Sequence, residues 1–243
     1  MKIISFDTLP STNKYCELLD LDQYEEFTIV NAREQTMGVG QRGNHWESEP
    51  GKNLTFSIIL KPTFLSASDQ FQLTKALSLG IADWLKRIIP HNHIVRIKWP
   101  NDIYVDSLKI CGTLTTCTLN RNHIATAVAG IGININQISF SDWIPNPTSL
   151  LLLTGRQFPT STALKEVAAT IASRYHQLKQ DPTSPNQDYL AHLLHKDQWR
   201  QYSYQGQPII AKILGVNNFG HLSLVCENGD SITCQMKELQ WIW

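Results

Sequence analysis

The chain has 243 residues, a length that suits one large domain or one domain with a small appendage. Its hydrophobic content of 42% is sufficient for a substantial buried core. The 21 basic and 21 acidic residues give a formal net charge of +0, which disfavours a nucleic-acid-binding protein with a basic surplus on one face. An anionic ligand would therefore have to be bound by local charge.

The sequence also indicates the compartment. The N-terminal segment MKIISFDTLPST lacks the apolar core of a signal peptide, and no later apolar run is long enough to span a membrane. No CxxC pair occurs among the five cysteines, so we expect reduced thiols in a cytoplasmic protein. His192 and His195 lie three positions apart on a predicted helix. A solvated helix face explains them better than a metal site, because no third ligand is near in sequence.

The first part of the chain is predicted to combine strands with two helices. Alternating apolar residues predict strands at residues 2–6, 27–32 and 53–60. The segment STNKYCELLD is predicted to be a helix, which Ser11 or Thr12 could cap. Residues 70–89 carry apolar side chains at helical spacing and predict a long amphipathic helix.

The second part is predicted to be richer in strands. The runs HIVRIKW, DIYV, KICGTLTTCTL and HIATAVAGIGININ are separated by turn signals, which predicts an antiparallel meander. Residues 162–179 and 186–195 are predicted helices. From about residue 198 the chain changes to short strands with an Asn-Gly turn, which is typical of a small all-β module. We therefore expect a catalytic domain at residues 1–197 and a small β domain at residues 198–243.

A glycine-rich segment, QTMGVGQRGNHW, lies between two of the predicted strands. Its glycines would let backbone N–H groups face inward as a nest for an anion. Arg42 adds a planar guanidinium suited to carboxylate or phosphate, and Trp46 offers a flat face for a ring. Taken alone, such a stretch is more often a flexible loop with a surface arginine.

The segment KWPND interrupts a predicted strand. Pro100 breaks the hydrogen-bonded ladder and bends the chain, which presents Asn101 and Asp102 at a strand end with Lys98 just before them. Lys109 follows seven residues after Asp102, in the next predicted strand. A single lysine near a hairpin is usually solvated, so its role depends on the neighbouring segments.

Alternation along the next two strands predicts which side chains share a face. In the first strand it places Lys109 on the face of Cys111 and opposite Ile110. In the segment GIGININ it separates three isoleucines from a face made of Gly130, Gly132 and Asn134. Such a bare face permits close approach by a ligand or by another backbone, and both alternatives stay open. The four segments together favour an anionic, partly flat ligand such as a nucleotide.

These motifs resemble, in order and spacing, those of biotin–protein ligases. The resemblance rests on STN at residues 11–13, the glycine segment, KWPNDIYV, Lys109 in KICG, and GIGININ. It implies an α+β fold in which a mixed or antiparallel central sheet with flanking helices, similar to class II aminoacyl-tRNA synthetases, is followed by a C-terminal SH3-like β-barrel. It also implies an enzyme that activates biotin with ATP and Mg²⁺ to biotinyl-5′-AMP. That enzyme transfers biotin to a lysine of a biotin carboxyl carrier protein or domain.

By position, the resemblance implies a role for each motif residue. The residues implied in biotin binding are Ser11, Thr12, Asn13, Gln35, Gly38, Gly40, Lys109 and Gly112. The residues implied in ATP or adenylate binding are Gln41, Arg42, Trp46, Lys98, Asn101, Asp102 and Asn134. Lys109 and Arg42 would be catalytic, with Lys109 at the reacting carboxylate and α-phosphate. Mg²⁺ would accompany the ATP phosphates near Asp102, with protein ligands that the sequence leaves unknown.

The chain departs from the family pattern at three positions. Val39 and Gln41 stand where basic residues are frequent, and Arg42 could supply the missing charge from the next position. Thr116 stands where an acidic residue is frequent, and we have no mechanistic account of it. Because every motif lies before Gln137, we expect the C-terminal module to serve transfer to the carrier rather than adenylate formation.

The sequence leaves three alternative functions. A lipoate– or octanoate–protein ligase-like acyltransferase should lack KWPND with its following lysine. A non-enzymatic binder of biotinyl-adenylate is conceivable because of Val39 and Gln41. A biotin-responsive repressor is disfavoured because STN begins at residue 11, which leaves no room for a DNA-binding module. The identity of the carrier and a possible homodimer are left open.

Overall fold

The computed structural model describes residues 1–236 and 238–242, and of Arg42 the backbone only. A seven-stranded sheet with the order β1-β2-β3-β7-β6-β5-β4 forms the larger part. Its strands are Ile3–Leu9 (β1), Thr28–Gln35 (β2), Leu54–Leu60 (β3), Val95–Lys98 (β4), Asp102–Val105 (β5), Leu108–Asn120 (β6) and His123–Ile133 (β7). The pair β1–β2 is parallel and the other pairs are antiparallel, so the predicted mixed sheet and the antiparallel meander from β4 to β7 are confirmed.

A second, five-stranded antiparallel sheet follows, with its strands numbered in chain order from β8 to β12. These strands are Trp199–Tyr204 (β8), Gln207–Val216 (β9), Leu222–Cys226 (β10), Ser231–Cys234 (β11) and Leu239–Trp241 (β12). The predicted fold class, an α+β domain plus a small C-terminal β module, is confirmed. The division at residues 197 and 198 stays a prediction, although the second sheet begins at Trp199.

Five α-helices accompany the sheets in the described residues. They are Thr12–Glu17 (α1), Gln70–Ile88 (α2), Leu150–Thr154 (α3), Thr160–Gln180 (α4) and Pro185–His192 (α5). Most residues of α2 are buried, because this helix packs against the meander strands as well as against α4 and α5. A Cβ built on Gly80 of α2 would lie 2.6 Å from the Ile171 Cα of α4, so glycine allows the two helix backbones to approach closely.

Two local features position the site. Ser11 is the N-cap of α1 and its Oγ accepts from the Lys14 N–H, as one of the two sequence alternatives predicts. The chain leaves β4 at Lys98 and enters β5 at Asp102, so the proline of KWPND lies in the bend between two paired strands. None of the described helices is long and apolar enough to cross a membrane.

Candidate active site

The glycine segment is folded as a small closed hairpin. The Gly40 N–H donates to the Asn44 carbonyl at 2.7 Å, and the Trp46 N–H donates to the Gly38 carbonyl at 3.0 Å. A Cβ on Gly38 would lie 2.3 Å from the Trp46 carbonyl oxygen, so the close approach of the two hairpin arms requires glycine there. The Gly40 and Trp46 N–H groups are thus used within the loop, so Gly40 does not offer its N–H to an anion as the sequence predicts for the glycines.

Trp46 lies on a bare patch of the seven-stranded sheet. Gly112 of β6 pairs with Gly132 of β7, and the indole of Trp46 covers both glycines. A Cβ on Gly132 would lie 2.3 Å from Trp46 Cε2, and one on Gly112 would lie 3.1 Å from Cζ3. The neighbouring Gly130 is covered by the side chain of Asn13. Side chains rather than another backbone therefore lie on this face, and close approach by a ligand stays a prediction.

A β-bulge in β6 turns Lys109 toward this patch. Cys111 pairs with Ile103, but Tyr104 pairs with Lys109, so Ile110 is an extra residue in the strand. Ile110 and Cys111 are consecutive and both fully buried in the core, whereas Lys109 and Gly112 lie on the side of Trp46. The prediction that Lys109 shares a face with Cys111 is therefore wrong, because the bulge interrupts the alternation.

Three charged side chains meet beside the indole. Lys109 Nζ lies 2.8 Å from Asp102 Oδ2 and 5.8 Å from the centre of the Trp46 ring. Lys98 Nζ lies 5.7 Å from the centre of the Tyr104 ring. Burial lowers the pKa of Lys98; the Asp102 carboxylate opposes that decrease and the Lys109 ammonium adds to it. The group presents two cations and one carboxylate in a half-buried setting, where electrostatic interactions are stronger than in water.

Buried polar side chains lie at the opposite end, around the first turn of α1. The Thr12 N–H donates to Gln35 Oε1 at 2.7 Å, and the Ser57 hydroxyl lies 2.8 Å from the Thr12 hydroxyl oxygen. Asn13 Nδ2 donates to the Leu114 carbonyl at 3.1 Å. Ser11, Thr12 and Asn13 are all less than a tenth exposed. The hydrogen bonds to Gln35, Ser57 and Leu114 hold the polar atoms of Thr12 and Asn13 in fixed directions, so this end can recognise a polar ring.

Two predicted asparagines are engaged with backbone. The Asn101 amide donates to the Thr113 carbonyl, and the Thr113 hydroxyl donates to the Asn101 carbonyl at 3.3 Å. Asn134 Nδ2 donates to the Thr148 carbonyl at 2.9 Å. Both asparagines are buried. Asn101 ties the KWPND bend to β6, and Asn134 ties the end of β7 to the loop before α3.

The site residues line two adjoining cavities. The first has a volume of about 260 Å³ and lies between the polar end, the glycine hairpin and the KWPND bend. The second, about 680 Å³, lies on the other side of Trp46, under the loop at residues 138–147. Both cavities are lined by Trp46, Lys98, Asp102 and Lys109. The charged group therefore lies at the junction of the two cavities.

Most of the predicted site residues converge here. The first cavity is lined by Ser11, Thr12, Asn13, Gln35, Gly40, Gln41, Trp46, Lys98, Asn101, Asp102, Lys109 and Gly112, and the second by Asn134. Gly38 does not line either cavity and acts within the hairpin instead. The side chain of Arg42, predicted to be catalytic, lies outside the described part of the chain.

Several residues of the cavity walls were not predicted from the sequence. Met236, from the turn before β12, and Leu239 and Trp241, from β12, line the first cavity, although every motif lies before Gln137. Trp143 lines the second cavity and is 57% exposed. A tryptophan within the turn-rich segment SDWIPNP is a sequence signal that could have indicated a binding role for Trp143. No local pattern indicates that the end of the chain returns to the site.

The chain is similar in sequence to a known ligase family and to its members. The family described as "Biotin/lipoate A/B protein ligase family" matches residues 5–134, more than half of the chain. The chain is 29% identical to the Bifunctional ligase/repressor BirA of Bacillus spizizenii over 176 residues, which cover 71% of this chain and 53% of that protein. It is 27% identical to the Biotin--protein ligase of Homo sapiens over 249 residues, or 96% of this chain and 33% of that protein.

A solved structure matches almost the whole chain. The biotin protein ligase from Aquifex aeolicus, in complex with biotin and ATP, superposes with a TM-score of 0.80 at 25% identity, covering 98% of this chain and 97% of that chain. By contrast, the present chain spans only about half of the Bacillus protein and a third of the human one. The family match and the site geometry agree, and the chain belongs to the biotin/lipoate A/B protein ligase family.

Proposed function

We propose that this protein is a biotin–protein ligase, which activates biotin with ATP and transfers it to a lysine of a biotin carboxyl carrier domain. The observation that carries the proposal is the junction of the two cavities, where Lys98, Asp102 and Lys109 meet beside Trp46. A carboxylic acid in the first cavity and a nucleotide in the second would bring their reacting groups together at Lys109. The complex of the Aquifex aeolicus ligase with biotin and ATP supports the same pair of ligands.

The first step joins two anions, and the charged group fits that task. A biotin carboxylate oxygen attacks the α-phosphorus of ATP, the bond to the bridging oxygen breaks, and pyrophosphate leaves with the electron pair. The ammonium of Lys109 can lie between the carboxylate and the α-phosphate and stabilise the charge that develops on phosphate oxygens. Lys98 adds a second cation at the same junction. No covalent protein nucleophile is required.

In the second step the amine of the carrier lysine attacks the acyl carbon of the mixed anhydride. The bond to the phosphate oxygen breaks, AMP leaves with the electron pair, and the amine loses a proton. Water would hydrolyse the same anhydride, so the intermediate has to be covered. The glycine hairpin lies at the first cavity through Val39, Gly40 and Gln41 and supplies such a cover.

The polar end of the first cavity favours biotin over a simple acyl chain. A ureido ring has N–H donors and a carbonyl acceptor that can bond to Ser11, Thr12 and Gln35. An octanoyl chain or a dithiolane ring offers no hydrogen-bonding group to this polar end and would gain nothing from its fixed polar atoms. The alternative lipoate or octanoate activity is therefore less well supported by this lining.

Magnesium fits the site as a companion of ATP rather than as a resident ion. No cluster of three or more His, Cys, Asp or Glu side chains suited to a metal occurs among the described residues. Mg²⁺ commonly binds through one or two carboxylates together with substrate phosphates. Asp102, at the junction, is the carboxylate that could contribute. Its ion pair with Lys109 would then have to rearrange.

A two-stage assay tests the proposal. Purified protein is incubated with biotin, ATP and Mg²⁺, and pyrophosphate release is followed; a purified carrier domain is then added and its mass is measured. We expect biotin-dependent pyrophosphate release and a carrier heavier by one biotinyl group, with neither when lipoate or octanoate replaces biotin. Binding of added biotinyl-adenylate, with neither pyrophosphate release nor a change in carrier mass, would support the non-enzymatic binder. A carrier modified equally by octanoate would overturn the assignment to biotin.

A further inference from the structure

The end of the chain returns to the junction of the two cavities. Trp241, the last residue of β12, lies with its ring centre 5.4 Å from Lys98 Nζ and lines the first cavity. Tyr104 lies at a similar distance from the same ammonium, with its ring centre 5.7 Å away. Lys98 is therefore flanked by one aromatic ring from each sheet.

This setting matters because Lys98 forms no ion pair in the described part of the chain. Asp102 is the nearest carboxylate in sequence, and it is paired with Lys109 at 2.8 Å. A lysine has four rotatable bonds, so an ammonium without a fixed partner samples many positions. Two ring faces attract the cation through their quadrupoles and hold it while leaving its three N–H donors available.

Trp241 is itself held in place by the second sheet. β12 pairs with β8, where Trp241 lies opposite Tyr202, and the two rings meet edge to face with centres 5.4 Å apart. The sheet is attached next to the same bend, because Trp99 Nε1 donates to the Gly220 carbonyl at 2.9 Å. The aromatic face that Lys98 meets is thus fixed to the rest of the protein by backbone pairing and by a buried hydrogen bond.

We propose that Trp241 is a positioning residue of the C-terminal module, which holds the Lys98 ammonium at the junction of the cavities for contact with the phosphates of ATP. The proposal rests on the function proposed above. It gives the C-terminal module a part in nucleotide binding through one aromatic side chain. Because Lys98 would contact phosphates both before and during the reaction, the loss of Trp241 should act on binding rather than on turnover.

The first experiment measures pyrophosphate release by Trp241→Leu, with ATP and biotin varied separately. We expect KM for ATP to rise by about 5- to 30-fold, the range that a desolvated cation–π contact supports. KM for biotin and kcat should change by less than about 2-fold. Trp241→Phe retains a ring and should raise KM for ATP by no more than about 5-fold. Trp199→Leu is the matched control, since Trp199 makes its own contact with Lys212, at 5.1 Å, and lines neither cavity.

A double-mutant cycle separates positioning from a merely structural role. If Trp241 acts through Lys98, Trp241→Leu should raise KM for ATP no further once Lys98→Met is present. An equal rise in both backgrounds, or an unchanged KM in Trp241→Leu, overturns the proposal. If circular dichroism shows that Trp241→Leu is unfolded, the same cycle with Trp241→Met, which also lacks a ring, decides the question by the same criteria. Measurements on the wild type distinguish failure of this proposal from failure of the proposed function. Absence of biotin-dependent pyrophosphate release in the wild type would overturn the proposed function itself.

Discussion

Replacement of Gly132 by alanine tests whether the Trp46 indole rests on the bare strand face. A Cβ on Gly132 would lie 2.3 Å from Trp46 Cε2 and 2.6 Å from its Nε1, so the ring would have to move away. Such overpacking costs about 1–3 kcal/mol, and alanine offsets roughly 0.4–1 kcal/mol of it by restricting the unfolded chain. We expect a net loss of about 1–2 kcal/mol in the free energy of unfolding. For a protein of this size the melting temperature should fall by roughly 2–8 °C.

Thermal unfolding followed by circular dichroism measures this change in two backgrounds. Gly112→Ala provides a graded control. Its Cβ would lie 3.1 Å from the nearest ring atom, so the loss in the free energy of unfolding should be smaller than for Gly132→Ala. In a Trp46→Ala background the penalty for Gly132→Ala should disappear, since the ring that causes it is absent. A fall in melting temperature of the same size in both backgrounds would refute the contact as the cause.

Three further predictions concern charge. Lys109→Ala should slow pyrophosphate release by about 10²- to 10³-fold, because it removes a cation at the developing charge, whereas Lys14→Ala, on the exposed side of α1, should leave the rate unchanged. Val39→Arg should leave the rate of adenylate dissociation unchanged while Arg42→Ala raises it about 10-fold or more; the reverse pattern would mean that Arg42 has not replaced the missing charge. Burial lowers the pKa of Lys75 to about 8 from 10.5, so the unfolded chain binds more protons between those values. Stability should therefore rise by roughly 2 kcal/mol between pH 8 and pH 10 relative to Lys75→Met, as measured by urea unfolding at those two pH values.

Much of the fold was predictable because it depends on local periodicity. The predicted helix at residues 70–89 corresponds to α2, and the predicted strand at residues 53–60 corresponds to β3. The parallel pairing of β1 with β2 and the order of the seven strands were not predicted. These depend on contacts between residues far apart in sequence, which no window of neighbouring residues encodes.

The convergence of the motif residues on one cavity was predictable from the sequence, whereas their exact geometry was not. The polar end at Ser11 and the charged bend at Asp102 converge as expected. The position of Lys109 followed from a bulge, which strand alternation cannot reveal. The contribution of Trp241 depends on how two sheets are placed, and a tryptophan near a chain terminus carries no such signal.

The bulge in β6 also sets a rule for redesign of this strand. A designer who alternated polar and apolar residues from Lys109 would assign Cys111 to the ligand side and replace it freely. Yet Cys111 has no exposed surface, so a polar side chain there would be buried in the core at a cost of about 1–3 kcal/mol unless it found a hydrogen-bond partner. Residues 109 and 112 face the ligand side of the strand, whereas residues 110 and 111 between them both face the core. Libraries that vary the ligand-facing residues should therefore include positions 109 and 112 and leave 110 and 111 apolar.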